Sequence, residues 1–264
     1  MLKIPKNLLA KFRSASAIIY RAVLNSFLGM VFQFRAAQVH LRKPPESDQF
    51  KGLGSVRPRS YKTYEAYLAH QRSKVESWKH LREAHFAEKD NFARHFEKVE
   101  EVRNSRVAIC LGARWGEECA ALTSLGVLAI GVDLNPDSNN QWVVAGDFHN
   151  LQFPSGSFDF AYTNVWDHVL KPNDFVAEVG RVLAADNGKW LIDVYLGWRE
   201  KAKVDKWGAL SYETTQDVVE LILGTGHFSL IREVDALGSS YRSYLLRRNV
   251  EIPQINKSDK ENAL

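Results

Sequence analysis

An α/β fold, a parallel sheet covered by helices on both faces, is what the sequence predicts, and three observations predict it. From Val107 onward short apolar runs alternate with helical segments, the pattern of strands buried on both faces. The first such unit, "VAICLGARWGEECAALTSLGVLAIGVDLNP", reads as a strand, a glycine turn, a helix and a second strand that ends in an acid. The last two apolar runs, "GHFSLIREVD" and "SSYRSYLLRR", read as an antiparallel hairpin closing such a sheet.

Ahead of that body lies a leader of different chemistry. Residues 1–43 contain eight Lys or Arg and no Asp or Glu, so the net charge of +4 over 264 residues conceals a remainder of 27 basic against 31 acidic residues, or −4. The leader mixes these cations with Leu, Ile, Phe and Val and stops at Pro44 and Pro45, as one or two basic helices would. Arg21 speaks against a secretory signal peptide and against a spanning helix of about 20 apolar residues, because either would have to bury it. Three readings stay open: a membrane-surface helix with Phe27, Leu28, Val31 and Phe34 toward the acyl boundary, an organelle presequence, or a helix packed on its own domain or another subunit. A nucleic-acid enzyme carries its positive field over the substrate groove, not on a leader, so nucleic acid is not the expected partner. Cys110 and Cys119 are too few for a disulfide framework or a metal cluster, and as two reduced buried thiols they fit a cytoplasmic chain, peripheral at a membrane if the leader binds one.

The remaining elements follow in order. Residues 44–60, rich in Pro, Gly and Ser, complete a leader-and-linker region spanning 1–60. Residues 61–104 lack Pro and Gly and place Tyr64, Tyr67, Leu68, Trp78, Leu81, Phe92 and Phe96 at helical intervals, which predicts two helices forming an extension or a cap over a substrate. Within 105–248 the expected strands are 107–111, 128–132, 142–145, 158–163, 189–195, 228–235 and 240–247. The expected helices lie near 116–125, 172–183 and 213–224. The segment 249–264 is a polar tail.

Gly112 falls at the carboxyl end of the first parallel strand, where open α/β sheets bind ligands, and Asp133 follows it at the distance of a carboxylate that accepts from ribose hydroxyls. A nicotinamide-dependent dehydrogenase would share both features. The next stretch separates the two: "GDFHNLQFPSGSFDFAYTN" and then "NVWDHVLKPNDFVAEVGRVLAADNGKWLIDV". Over about residues 105–248 the order of these segments resembles the class I S-adenosylmethionine-dependent methyltransferases, especially the branch that methylates small molecules. The resemblance implies a Rossmann-like seven-stranded sheet with a helical N-terminal extension, and S-adenosylmethionine as cofactor. It implies that Gly112 and Gly116 flank the methionine part, that Asp133 holds the ribose, that Asp147 and Phe148 frame the adenine, and that Asn164 lies beside the departing methyl group. The chain departs from the family at two places: Cys110 stands where an acid ends the first strand, and Arg114 replaces the middle glycine. Arg114 has the forked geometry to pair with a carboxylate, here that of methionine.

For chemistry, "NVWDHV" offers His168 as a general base with Asp167 to orient it, and Tyr195 and Trp198 either line an acceptor pocket or pack. The strand-four ending "TNVW" is unlike the signature of amino-methylating nucleic-acid enzymes. No metal is expected, although Asp147, His149 and His168 can meet in space. The expected activity is methyl transfer to a small-molecule or glycan acceptor, on oxygen. The alternatives are a non-catalytic scaffold or partner subunit of the same fold, and an NAD(P)-dependent oxidoreductase.

Overall fold

The computed structural model describes residues 49–50, 54–137, 139–200, 202 and 205–250. The basic leader, with the membrane reading attached to it, and residues 251–264 of the polar tail lie outside the described residues. Among those described, no helix is long and apolar enough to cross a membrane.

The strands are β1 (Val56–Pro58), β2 (Val107–Leu111), β3 (Leu128–Asp133), β4 (Val143–Ala145), β5 (Phe160–Thr163), β6 (Lys189–Tyr195), β7 (Leu210–Tyr212), β8 (Phe228–Val234) and β9 (Tyr241–Arg248). The helices are α1 (Tyr64–Trp78), α2 (Arg82–Phe86), α3 (Lys89–Glu97), α4 (Glu100–Arg103), α5 (Glu117–Ser124), α6 (Pro172–Val182) and α7 (Thr215–Gly224). Seven strands form one sheet in the order β4-β3-β2-β5-β6-β9-β8, and β1 pairs with β7 in a separate antiparallel ribbon. The pairings β4–β3, β3–β2, β2–β5 and β5–β6 are parallel, whereas β9 runs antiparallel to both β6 and β8.

The period of two explains why both faces are covered. Along β2, Ile109 and Leu111 point into the core beneath α6 and α7, while Ala108 and Cys110 point into the core beneath α3 and α5. The helices start where the local chemistry allows. Thr63 accepts from the backbone N–H of Ala66 at the start of α1, Pro172 opens α6, and Thr214 with Asp217 closes a reciprocal capping box on α7. One polar knot lies inside the second core. Asp193 of β6 accepts from the Tyr162 hydroxyl at 2.6 Å and from Ser243 Oγ, with His95 Nε2 at 3.2 Å, so three other elements are tied to one carboxylate.

The helical region 61–104 is broken more often than expected. A 3-10 turn over Lys79–Leu81 separates α1 from α2, and α3 and α4 follow as further short pieces. Part of the expected linker is structured: β1 pairs Val56 with Tyr212, Arg57 with Ser211 and Pro58 with Leu210, and Arg59 Nε donates to Gly208 O at 2.7 Å. This ribbon fastens the chain ahead of α1 to the connection between β6 and α7, and α1 lies across the carboxyl ends of the parallel strands.

Candidate active site

The glycine turn between β2 and α5 is held by the strand beside it. Gly112 and Ala113 N–H groups donate to Val132 O at 2.8 and 3.2 Å, and Arg114 N–H donates to Asp133 Oδ2 at 3.1 Å. Gly112 has φ +76°, and a Cβ there would fall 2.5 Å from Val165 Cγ2; Gly116, at φ +86°, would meet the Trp142 side chain as closely. Both positions therefore demand glycine on conformation and on space. Arg114 also sits in the left-handed region, at φ 39°, where the family uses a glycine. Its guanidinium does not project as an open fork: it lies 5.1 Å from the Trp78 ring centre and 4.9 Å from that of Trp115.

Asp133 also accepts from Asn135 N–H at 3.0 Å through Oδ1. Each oxygen thus has one backbone partner and one lone pair to spare, the capacity needed to receive two hydroxyls. Gly112, Arg114, Asp133 and Phe148 line a cleft of about 480 Å³ together with Val165 and His168. Its cover is α1, which contributes Tyr67, Gln71 and Lys74 to the wall. These recur at i, i+4 and i+7, one face of the helix. Tyr67 OH donates to His168 O at 3.0 Å and Gln71 Nε2 to Trp207 O at 2.9 Å, so the cover is pinned to the 166–168 turn and to the chain ahead of β7.

Other expected residues stand behind the wall. Asp147 accepts from the Tyr64 hydroxyl at 2.6 Å and from His149 N–H at 2.9 Å, with His149 Nδ1 at 3.0 Å. Burial pushes its carboxyl up, but the hydrogen bonds from His149 and Tyr64 outweigh burial and hold it below its ordinary range. Asn164, at the end of β5, donates a long hydrogen bond from Nδ2 to Glu118 Oε1 at 3.5 Å. Gly116 begins α5.

A 3-10 turn, Trp166–His168, separates two cavities. His168 faces the cleft, while Asp167 faces a second pocket of about 320 Å³ lined also by Tyr195, Trp198 and Tyr212. Both ring nitrogens of His168 are engaged. Nδ1 lies 3.2 Å from Trp207 O, to which it donates, and Nε2 lies 2.5 Å from Lys74 Nζ, with Asp167 Oδ2 at 3.4 Å. Burial and then the Lys74 charge hold the imidazole well below its usual range. The expected free base is thus a neutral ring whose lone pair is taken. Lys74 itself is 8% exposed, and burial, followed by the Arg114 charge, brings its amine down to about 8. Sequence reasoning singled out neither Lys74, which lines the cleft, nor Tyr64, which holds Asp147, as a site residue. Lys74 carried one faint signal, a polar residue continuing the Tyr67 face of a helix. Among the described residues no group of three or more His, Cys, Asp or Glu is arranged to hold a metal.

Residues 109–191 match the family model described as a methyltransferase domain. With the sheet order and cleft above, this marks residues 109–191 as a methyltransferase domain in a fold of the class I S-adenosylmethionine-dependent type, for which S-adenosylmethionine is the indicated cofactor. The fold is similar to that of the 1,6-didemethyltoxoflavin-N1-methyltransferase of Burkholderia thailandensis, solved with 1,6-didemethyltoxoflavin and S-adenosylhomocysteine. The two are 18% identical over 76% of this chain and 99% of that one, with a TM-score of 0.56. It is also similar to the mitomycin 7-O-methyltransferase MmcR, at 14% identity, 69% of this chain, 60% of that one and a TM-score of 0.51. No curated protein sequence matches the chain. The family match and the fold favour the methyltransferase reading over the oxidoreductase one.

Proposed function

We propose that this enzyme methylates a small-molecule hydroxyl that enters the cleft beside His168, and that Lys74 accepts the proton of that hydroxyl. The observation that carries the reading is the contact between Lys74 Nζ and His168 Nε2 in the wall of the cofactor cleft. The cofactor supplies an already activated methyl group on a sulfonium, so alignment and proton removal are what remain for the protein. Asp133 would hold the ribose through its two spare lone pairs, Phe148 would lie against the adenine, and Asp147 would face the adenine's amino group on the α1 side. Gly112 lets the backbone approach the methionine part, and Arg114, braced between two indoles, keeps the turn shut.

The proton path follows from hydrogen-bond directions. His168 gives its Nδ1 proton to Trp207 O, so its Nε2 must accept, and the donor is Lys74. With its N–H directed at His168, the neutral amine keeps its own lone pair for a hydroxyl in the cleft that both residues line. His168 is accordingly a positioning residue, and Asp167 offsets the positive charge that forms on Lys74. The Tyr67 and Phe148 rings in the lining of that cleft suit a planar acceptor.

The test is transfer of a labelled methyl group from S-adenosylmethionine to a panel of planar phenols and the matching anilines. Phenols should be preferred, and Lys74→Met should lower kcat by about 100-fold or more while S-adenosylhomocysteine affinity stays within about threefold. Equal rates for Lys74→Met and the unaltered enzyme on their best acceptor would remove the proposal.

A further inference from the structure

The second pocket, about 320 Å³ between the 166–168 turn and the chain that leads into β7, shares no lining residue with the cleft. Three aromatic rings and two carboxylates define it: Tyr195, Trp198, Tyr212, Asp167 and Asp205. Trp198 is 40% exposed, an indole left open to water. Among the described residues no Lys or Arg forms an ion pair with Asp167 or Asp205. Asp167 Oδ2 lies 3.4 Å from His168 Nε2, a nitrogen that receives the Lys74 proton and has none to give. Burial pushes the Asp167 carboxyl up while Lys74 and Arg114 pull it back, and with 23% of its side chain exposed it can meet a ligand from the pocket. Arg59, a cation on which Asp205 acts, spends its guanidinium on Gly208 O, Lys206 O and Gln49 Oε1. Burial and then Asp167 push the Tyr195 and Tyr212 phenols up, and Asp205 adds to this at Tyr195. The space between the rings is therefore electronegative.

We propose that this pocket binds an organic ammonium group, held between Asp167 and Asp205 with its carbon skeleton against Tyr195, Trp198 and Tyr212. A carboxylate only accepts hydrogen bonds and an ammonium only donates them, so the two match without leaving a polar atom unpaired. The ring faces add the attraction of their quadrupoles for a cation, strongest at the indole. An anion would meet two carboxylates, and a neutral alcohol would gain no charge interaction, so charge is the property that discriminates. Arg199, 5.2 Å from the Trp198 ring centre, does not fill the role, because its guanidinium is paired with Glu213 at 2.7 Å. The volume suits a short arylalkylamine. Such an ammonium belongs either to the methyl acceptor itself or to a separate small amine. The site stands whether or not the cleft holds S-adenosylmethionine.

Three probes of similar size that differ in charge test the site: 2-phenylethylamine, 2-phenylethanol and 3-phenylpropionate, titrated into the full chain by ligand-observed NMR. The amine should bind at least ~10-fold tighter than the alcohol, and the acid weakest of the three. Asp205→Asn and Trp198→Ala, at a half-buried and an exposed position, should each weaken the amine by ~5-fold or more and leave the alcohol within about twofold. Saturating S-adenosylhomocysteine should not displace the amine. Equal affinity for amine and alcohol, unchanged amine affinity in both variants, or displacement by S-adenosylhomocysteine overturns the site. Methyl transfer to tyramine and to 4-ethylphenol separates the two sources. A kcat/KM at least ~10-fold higher for tyramine, lost in Asp205→Asn, assigns the ammonium to the acceptor, and equal rates assign it to a separate amine. Transfer to neither phenol counts against the proposed function and leaves the binding result to decide the pocket.

Discussion

At the residue scale the site turns on ionisable groups taken out of water. Lys74 is the clearest case, because its amine is brought down to about 8 by burial and then by Arg114. Only the neutral amine accepts a proton, so kcat/KM for a hydroxyl acceptor should rise with pH, pass its half-maximum near 8 and level off above about pH 9. Measuring that profile for the unaltered enzyme and for Lys74→Arg checks it, since arginine stays charged and should give a flat, low line. The same shift makes a stability statement. The unfolded chain binds the Lys74 proton up to its ordinary 10.5 and the folded chain only to about 8, so this residue's burden on stability is full below 8. It fades as pH rises from 8 to 10.5, and over that window the contribution is on the order of 3 kcal/mol. Asp133 and Gly112 were legible in the sequence because a glycine turn followed by an acid is a local pattern with a local cause. Lys74 was not, because its meaning comes from His168, ninety-four positions away.

At the element scale, α1 decides whether the cleft has a roof. It is held by side-chain bonds along its length: Tyr64 to Asp147 and His149, Tyr67 to His168 O, Gln71 to Trp207 O, and Lys74 to His168 Nε2. Tyr67→Phe removes a buried donor from a carbonyl and should lower stability by about 1 kcal/mol, while raising the Kd for S-adenosylhomocysteine through a looser roof. Thermal denaturation with and without ligand reads both effects, and a larger ligand-induced shift in the variant would contradict this. The knot under β6 is more costly to cut. Asp193→Ala leaves the Tyr162 and Ser243 hydroxyls and His95 unpaired at almost fully buried positions, and should cost about 3–5 kcal/mol, seen as a lower midpoint in urea with an unchanged slope. Most elements were readable for the reason that they alternate. The strands 107–111 and 189–195 run where apolar periodicity places them. The fifth begins at Phe160 and not at 158, because Phe158 pairs only as a lone bridge with Leu183. The β1–β7 ribbon escaped, since three-residue strands carrying Pro58 and Ser211 have no period to detect.

At the scale of the whole molecule, the order β4-β3-β2-β5-β6-β9-β8 reverses direction between β2 and β5, and the cleft opens at the carboxyl ends of the strands flanking that point. Among the described residues, those that line the cleft fall between Tyr67 and His168, and the second pocket adds residues up to Tyr212. Residues 1–43, whose eight cations dominate the chain's net charge, lie outside the described residues, and whether binding needs them is settled by removing them. A chain beginning at Pro45 should bind S-adenosylhomocysteine with unaltered affinity. At a ligand concentration of about 100 times Kd, both forms should gain about 2.7 kcal/mol, a rise in melting temperature of roughly 5–10 °C. The two melting curves should shift by the same amount. A truncated chain that folds but gains nothing from ligand would mean that the leader completes the cofactor site, and the field of the leader would then act on the cleft rather than on a surface elsewhere.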